Sequence, residues 1–256
     1  MPPALSSIPV GRAPADARSW TDGESAHVDK MKRVEHLDTA TTPDGTVLML
    51  YRHDGAYSIR VDGVELMSTR RHHSEDALAE RVCMPLQHRG GVRVLIGGLG
   101  FGFTLKAALR SLAPDARVVV AEIVAEVIAW NKHPDFLLSA AALADERVEL
   151  LHEDVASVMK RCRGQFDAIM LDVDNGAEPL TTSGNALLYR HVGITMAVAA
   201  LRPGGQLAYW SANDNAHFEQ SLRDAGLQVE VIRTRAHATS GAWHTLFVAR
   251  LNGLAR

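Results

Sequence analysis

The chain has 256 residues, 46% hydrophobic and 22% charged, enough for one sizeable core plus a small appendage and too apolar for disorder throughout. Lys and Arg number 27 against 30 for Asp and Glu, a formal charge of −3, so nucleic acid is not an expected partner. Cys83 and Cys162 share no CxxC spacing, which argues against a thiolate zinc site or a disulfide framework and for a reducing, cytoplasmic setting. No run approaches the roughly 18 apolar residues of a membrane span, and no signal peptide is legible, so no membrane association is expected.

Residues 1–34 carry Pro2, Pro3, Pro9 and Pro14 without a sustained apolar period and read as a flexible extension. Residues 35–72 read as a small antiparallel β-unit. Thr46–Arg52 and Tyr57–Asp62 are β-prone runs separated by Asp54-Gly55, and Asp62-Gly63 turns into Val64–Met67. Residues 73–256 read as the main domain. It opens with Ser74, a candidate helix cap, and a helix through Leu78, Val82 and Leu86 that ends near Gly90 and Gly91.

A regular alternation follows. Val92–Ile96, Arg117–Glu122, Val148–Leu151, Phe166–Leu171 and Gly205–Trp210 are short apolar runs separated by helical patterns, and Val229–Arg233 with His244–Ala249 form a closing pair. That pattern predicts an α/β fold with a Rossmann-like sheet, mostly parallel with an antiparallel edge.

Between the first of these strands and its helix stand Gly98, Gly100 and Gly102, a G-x-G-x-G turn where a ligand could approach the main chain without meeting a Cβ. Glu122 ends the next strand, 20 residues after Gly102, where a carboxylate can accept from both hydroxyls of a ribose. An adenosyl sulfonium and a nicotinamide dinucleotide both suit this geometry, though the latter's G-x-G-x-x-G has Phe103 at its last position. Asp154, just past the third strand, could accept from an adenine amine, with Val155 offering its N–H, or could simply cap a helix.

Phe166–Leu171 delivers Asp172, Asp174 and Asn175 at the carboxyl end of its strand, where open α/β sheets bind ligands. Paired carboxylates there suit a cation or an amine. Trp210 could stack on a ligand or fill the core. The histidines lack paired ligand spacing, so no metal is expected.

Taken together these residues resemble the class I S-adenosylmethionine-dependent transferases and, within them, the spermidine synthase (polyamine aminopropyltransferase) family. The resemblance runs from about Val47 to Leu251 and includes Val61-Asp62-Gly63, Glu75, the glycine turn, Glu122, Asp154, Asp172 and Leu201–Gly205. It implies transfer of an aminopropyl group from decarboxylated S-adenosylmethionine to a small-molecule amine acceptor, in a homodimer. Gly98, Gly100, Gly102, Glu122, Asp154 and Val155 would hold the donor. Asp172 would orient and deprotonate the amine, with Asp174 as a second anchor and Glu75, Asn175, Tyr189 and Trp210 around the acceptor. Where the family's glycine motif carries an Asp facing the aminopropyl end, this chain has Phe101, and the family's Asp-Ser-Ser-Asp-Pro loop is replaced by Asp172–Gly176. Methyl transfer from S-adenosylmethionine itself therefore stands as an alternative, and a noncatalytic nucleoside-binding module as another.

Overall fold

The computed structural model describes residues 33–136, 138–173 and 185–251. Most of the expected N-terminal extension, together with Asp174, Asn175 and the following loop, lies outside the described residues.

Strands β1 (Glu35–Thr41), β2 (Val47–His53), β3 (Ala56–Val61) and β4 (Val64–Ser68) form a four-stranded antiparallel meander. The two Asp-Gly pairs make its tight turns, with Asp54, Gly55, Asp62 and Gly63 all at positive φ, the conformation that lets a two-residue turn follow the twist of its strands. Strand β1 is not signalled by the sequence. It is an edge strand whose only buried residue is Ala40, so no apolar alternation marks it.

Helix α1 (His73–Cys83) continues into a 3₁₀ turn at Met84–Leu86. Its N-cap is His72, without a side-chain cap bond. The expectation of a Ser74 cap is thus corrected: Ser74 sits inside the first turn, fully buried, its hydroxyl committed to other partners.

The main sheet contains β5 (Arg93–Gly97), β6 (Arg117–Glu122), β7 (Val148–His152), β8 (Phe166–Leu171), β9 (Leu201–Ser211), β10 (Leu227–His237) and β11 (Ser240–Leu251), ordered β10-β11-β9-β8-β5-β6-β7. Strands β5 to β9 run parallel, while β11 and β10 add antiparallel at one edge. Helices α2 (Phe103–Ser111), α3 (Ala125–Lys132), α4 (Ala140–Leu143), α5 (Val155–Arg161), α6 (Asn185–Leu188), α7 (His191–Ala200) and α8 (Ala216–Asp224) complete the alternation.

Every central strand is buried on both faces, and its residues divide by parity. Val94, Ile96, Val118, Val120, Ala168, Met170 and Ala208 join a core that also takes Leu48, Leu50, Ile59 and Val61 from the small sheet and Leu78 and Val82 from α1. Leu95, Val119, Ile169, Leu171, Leu207 and Tyr209 face the other way, against α5, α7 and α8. At about 2 kcal/mol for each large aliphatic side chain removed from water, these two layers supply the driving force that the polar turns cannot. The same parity lays the small sheet against one layer of the core.

The order places β6 and β7 on one side of β5 and β8 and β9 on the other. The chain therefore reverses direction across the sheet between β5 and β8, and ligands of such sheets sit outside the carboxyl ends of the strands at that point.

Candidate active site

The carboxyl ends of β5 and β8 are pinned together. The N–H of Asp172 donates to the Gly97 carbonyl at 2.9 Å, and that of Gly98 to Ala121 at 2.9 Å. Gly98 has φ +90°, and a Cβ there would lie 2.2 Å from the Asp172 carbonyl oxygen. Glycine is thus required at this position by the neighbouring strand end alone, a reason from within the protein beside the approach of a ligand. Gly102 is likewise explained from within the protein. It is the left-handed N-cap of α2, and a Cβ would collide with Ser139. Gly98 and Gly100 line the cleft described below, and Gly102 is not among its lining residues.

A polar bracket stiffens the glycine turn. Asn131 donates from Nδ2 to the Gly100 carbonyl (2.7 Å) and accepts at Oδ1 from the Ser139 hydroxyl (2.5 Å). Glu122 closes it from the other side, with one carboxylate oxygen accepting from the Leu99 N–H and the other from the Val124 N–H, both at 2.9 Å. Burial pushes this carboxyl upward, and those N–H donors oppose the shift. The Ile123 and Gly100 N–H groups also lower the proton affinity of this carboxyl, so the backbone of the turn surrounds it with donors.

Around this frame lies a cleft of about 660 Å³, counting space open to solvent, lined by Gly98, Gly100, Glu122, Asp154, Val155 and Asp172, with Leu66 and Met67 of β4 forming its lid. Asp154 is the helix cap that one of its two readings expected, and it stands at the cleft. It caps α5 by accepting from the Ala156 N–H at 3.0 Å. The strand ends and the meander together make a mostly apolar slot with the carboxylates Glu122, Asp154 and Asp172 on its wall.

A second cavity of about 900 Å³, again including open space, adjoins the first and shares Leu66, Met67, Asp172 and Val173 with it. Its further walls are Glu65, Arg71, Glu75, Trp210 and His244. Arg71 is ion-paired with Glu65. Among the described residues, no ion pair joins Glu75 or Asp172 to a cation. Burial raises both carboxyls, and the Asp172 charge raises Glu75 further, while the Thr104 hydroxyl, donating to Asp172 at 2.7 Å, offsets only part of the effect. Two half-buried carboxylates that destabilise each other form a receptor for a positively charged group.

The remaining predicted residues divide. Trp210 lines the second cavity and meets His244 edge-on with centroids 4.6 Å apart. Tyr189 is not brought to either cavity, which corrects its placement beside the acceptor: its ring packs against Tyr209 and Phe218, and its hydroxyl donates to the Trp210 carbonyl at 3.1 Å. An apolar ring with one satisfied hydroxyl is better accommodated in the core. Phe101 does not block the glycine turn. It is 2% exposed and edge-on to Phe103 in the core.

Sequence reasoning missed Thr104, Asn131, Ser139 and the part played by His244. Ser74 was legible only as a cap and His244 only as one of several scattered histidines, because 170 residues separate two side chains that bond at 2.9 Å. Arg71, one of a cationic run before α1, could be read as a solvated connector, yet it lines the second cavity.

Comparison with known proteins agrees with this architecture. No family model matches the chain. A polyamine aminopropyltransferase 2 of Pseudomonas aeruginosa is 28% identical over 163 residues, 61% of this chain and 46% of that protein, so the chain matches about half the length of that curated relative. Among solved structures, spermidine synthase from Thermotoga maritima superposes with a TM-score of 0.66 at 17% identity, covering 85% of this chain and 73% of that one. A spermidine synthase in complex with the transition state analogue AdoDATO gives 0.65 at 16% identity with the same coverage. A probable spermidine synthase from Corynebacterium glutamicum gives 0.60 at 15%, covering 84% and 79%. The fold is that of the spermidine synthases, as the resemblance implied.

Proposed function

We propose that the protein transfers an aminopropyl group from decarboxylated S-adenosylmethionine to a small amine, as a transferase of polyamine biosynthesis. The observation that carries this reading is the pair of adjoining cavities that share Asp172: one has the acceptors a nucleoside needs, the other has two uncompensated carboxylates.

Glu122 would take the ribose hydroxyls, and Asp154 with the Val155 N–H the adenine edge, with Gly98 and Gly100 keeping the floor free of side chains. The sulfonium is already a competent electrophile, so alignment of a nitrogen lone pair with the reacting carbon is the main catalytic contribution. Asp172, between the cavities, would anchor and orient the acceptor nitrogen and help it shed a proton. Glu75 would pair with a positive charge on the acceptor, and Trp210 would cover its apolar stem. Asp174 and Asn175 remain proposed as further anchors on the strength of the resemblance alone, as do a homodimeric assembly and a cytoplasmic location. Gly102 and Tyr189 are left out of the binding set.

Incubation with decarboxylated S-adenosylmethionine and a panel of short alkyl diamines should yield methylthioadenosine. Formation of S-adenosylhomocysteine from S-adenosylmethionine would instead establish methyl transfer. That second reading is favoured by one feature: Phe101 lies in the core, so no carboxylate reaches the donor from the position where the family carries one. Binding of either donor without turnover over the whole amine panel would leave a nucleoside-binding module.

A further inference from the structure

A chain of polar side chains enters the second cavity from its dry side. The Ser74 hydroxyl lies 2.5 Å from Oε2 of Glu75 and 2.9 Å from Nδ1 of His244. Ser74 is fully buried, so no water competes for either bond, while Glu75 and His244 both line the cavity. Glu75 and Ser74 come from α1 and His244 from β11, so the chain exists only because the helix packs across the sheet edge.

We propose that Glu75, Ser74 and His244 form a proton relay that draws a proton from the acceptor nitrogen. This deepens the amine-transfer reading and rests on it for the identity of the proton donor. Burial and the neighbouring Asp172 push the Glu75 carboxyl up to about 8, and in the arrangement reached above that range ionised Glu75 accepts from the Ser74 hydroxyl, Ser74 accepts from Nδ1–H of His244, and Nε2 of His244 keeps its lone pair. When an ammonium binds, its proton moves to Nε2. The Nδ1 proton passes to Ser74 Oγ, and the Ser74 hydroxyl proton passes to Glu75. The imidazole ends neutral with its proton on Nε2, Ser74 ends a hydroxyl, Glu75 ends a carboxylic acid, and the nitrogen regains its lone pair. Attack then forms the C–N bond and breaks the C–S bond, whose electron pair returns to sulfur as a thioether. The positive charge moves from sulfur to the product nitrogen.

The surroundings support this direction of transfer. Arg71 is the cation facing His244 across the cavity, and with burial it lowers the imidazole's proton affinity, which keeps the ring neutral. The neighbouring anions are Glu65, held by Arg71, and Asp172 and Asp76, which add to burial in raising the proton affinity of Glu75. Trp210, in edge-type contact with the imidazole, completes the wall around His244. A proton is therefore better accommodated at the carboxylate end of the chain than on the imidazole.

Histidine ¹⁵N resonances of the full chain, with His244 assigned through His244→Gln, read the relay without catalysis. The expected result is a neutral His244 whose proton switches from Nδ1 to Nε2 as pH falls through the titration of Glu75, with the switch abolished in Ser74→Ala. A tautomer that ignores pH over that range, or one that switches equally in Ser74→Ala, overturns the relay. In kinetics, His244→Gln and Ser74→Ala should each lower kcat about 100-fold, shift the acid limb of the rate profile, and leave KM for the adenosyl donor within about twofold. Undiminished kcat in both variants also overturns it. Absence of transfer by the unmodified protein to any amine would refute the amine-transfer reading, and the resonance experiment would still decide the relay.

Discussion

The two aspartates at either end of β8 have opposite fates. Asp167, at the start, is 2% exposed and compensated on every side: Oδ1 accepts from Arg89 at 2.9 Å, and Oδ2 from Arg202 at 2.6 Å and the Arg93 N–H at 2.9 Å. Asp172, at the end, receives a side-chain bond from Thr104 and faces a second carboxylate instead of a cation. A charge that the protein neutralises holds the strand in place; a charge left uncompensated at a cavity creates a demand that a ligand can meet.

Substitutions can break or sharpen that contrast. Asp172→Asn removes the anchoring charge and should lower amine transfer by about 10²–10⁴, while calorimetry finds adenosyl-ligand affinity within a few-fold of the original. Equal loss of nucleoside affinity would mean that Asp172 belongs to the frame of the cleft. Asp167→Ala should do the reverse. It removes the acceptor of the Arg93 N–H and the partner of two half-exposed guanidiniums, costs about 1–3 kcal/mol of stability in denaturant unfolding, and leaves turnover per folded molecule unchanged.

Glu122→Gln is intermediate because the carboxylate has both kinds of partner. One backbone donor would face an amide NH₂, and adenosyl-ligand affinity should fall roughly 10–100-fold, in line with about 1–3 kcal/mol for an unsatisfied buried group. The smallest expected effect tests whether the acceptor cavity stores strain. Glu75 holds a proton more readily folded than unfolded, so its contribution to stability is present below the ordinary carboxylate range and declines as pH rises through its elevated folded value. Glu75→Gln should therefore raise the melting temperature at about pH 9 by a few degrees, on the order of 1 kcal/mol, with little change near pH 5 and with loss of transfer. A melting curve insensitive to the substitution at both pH values would show that the carboxylate is not destabilising.

Local chemistry determined much of what is legible here. The continuous apolar runs of β5, β6 and β8, the Asp-Gly turns, the glycine-rich link into α2 and the Asp154 cap all follow from residues within a few positions of one another, so chain order suffices to read them. The acids at strand ends were legible for the same reason, since a strand's end is a local property. Strand β1 was not, because an exposed edge needs no apolar alternation, and Tyr189 was misplaced because a single ring carries no mark of which neighbours will enclose it.

The chain by itself thus determined an alternating α/β layer, a small antiparallel appendage and the carboxylates Glu122, Asp154 and Asp172 at the ends of their strands. Tertiary structure alone decided that Glu75 faces Asp172 across one cavity, that Ser74 bridges Glu75 to His244, and that Gly98 answers to the Asp172 carbonyl. Those relations depend on distances between groups far apart in sequence, and burial and unscreened charge have no value until packing has fixed which groups are neighbours.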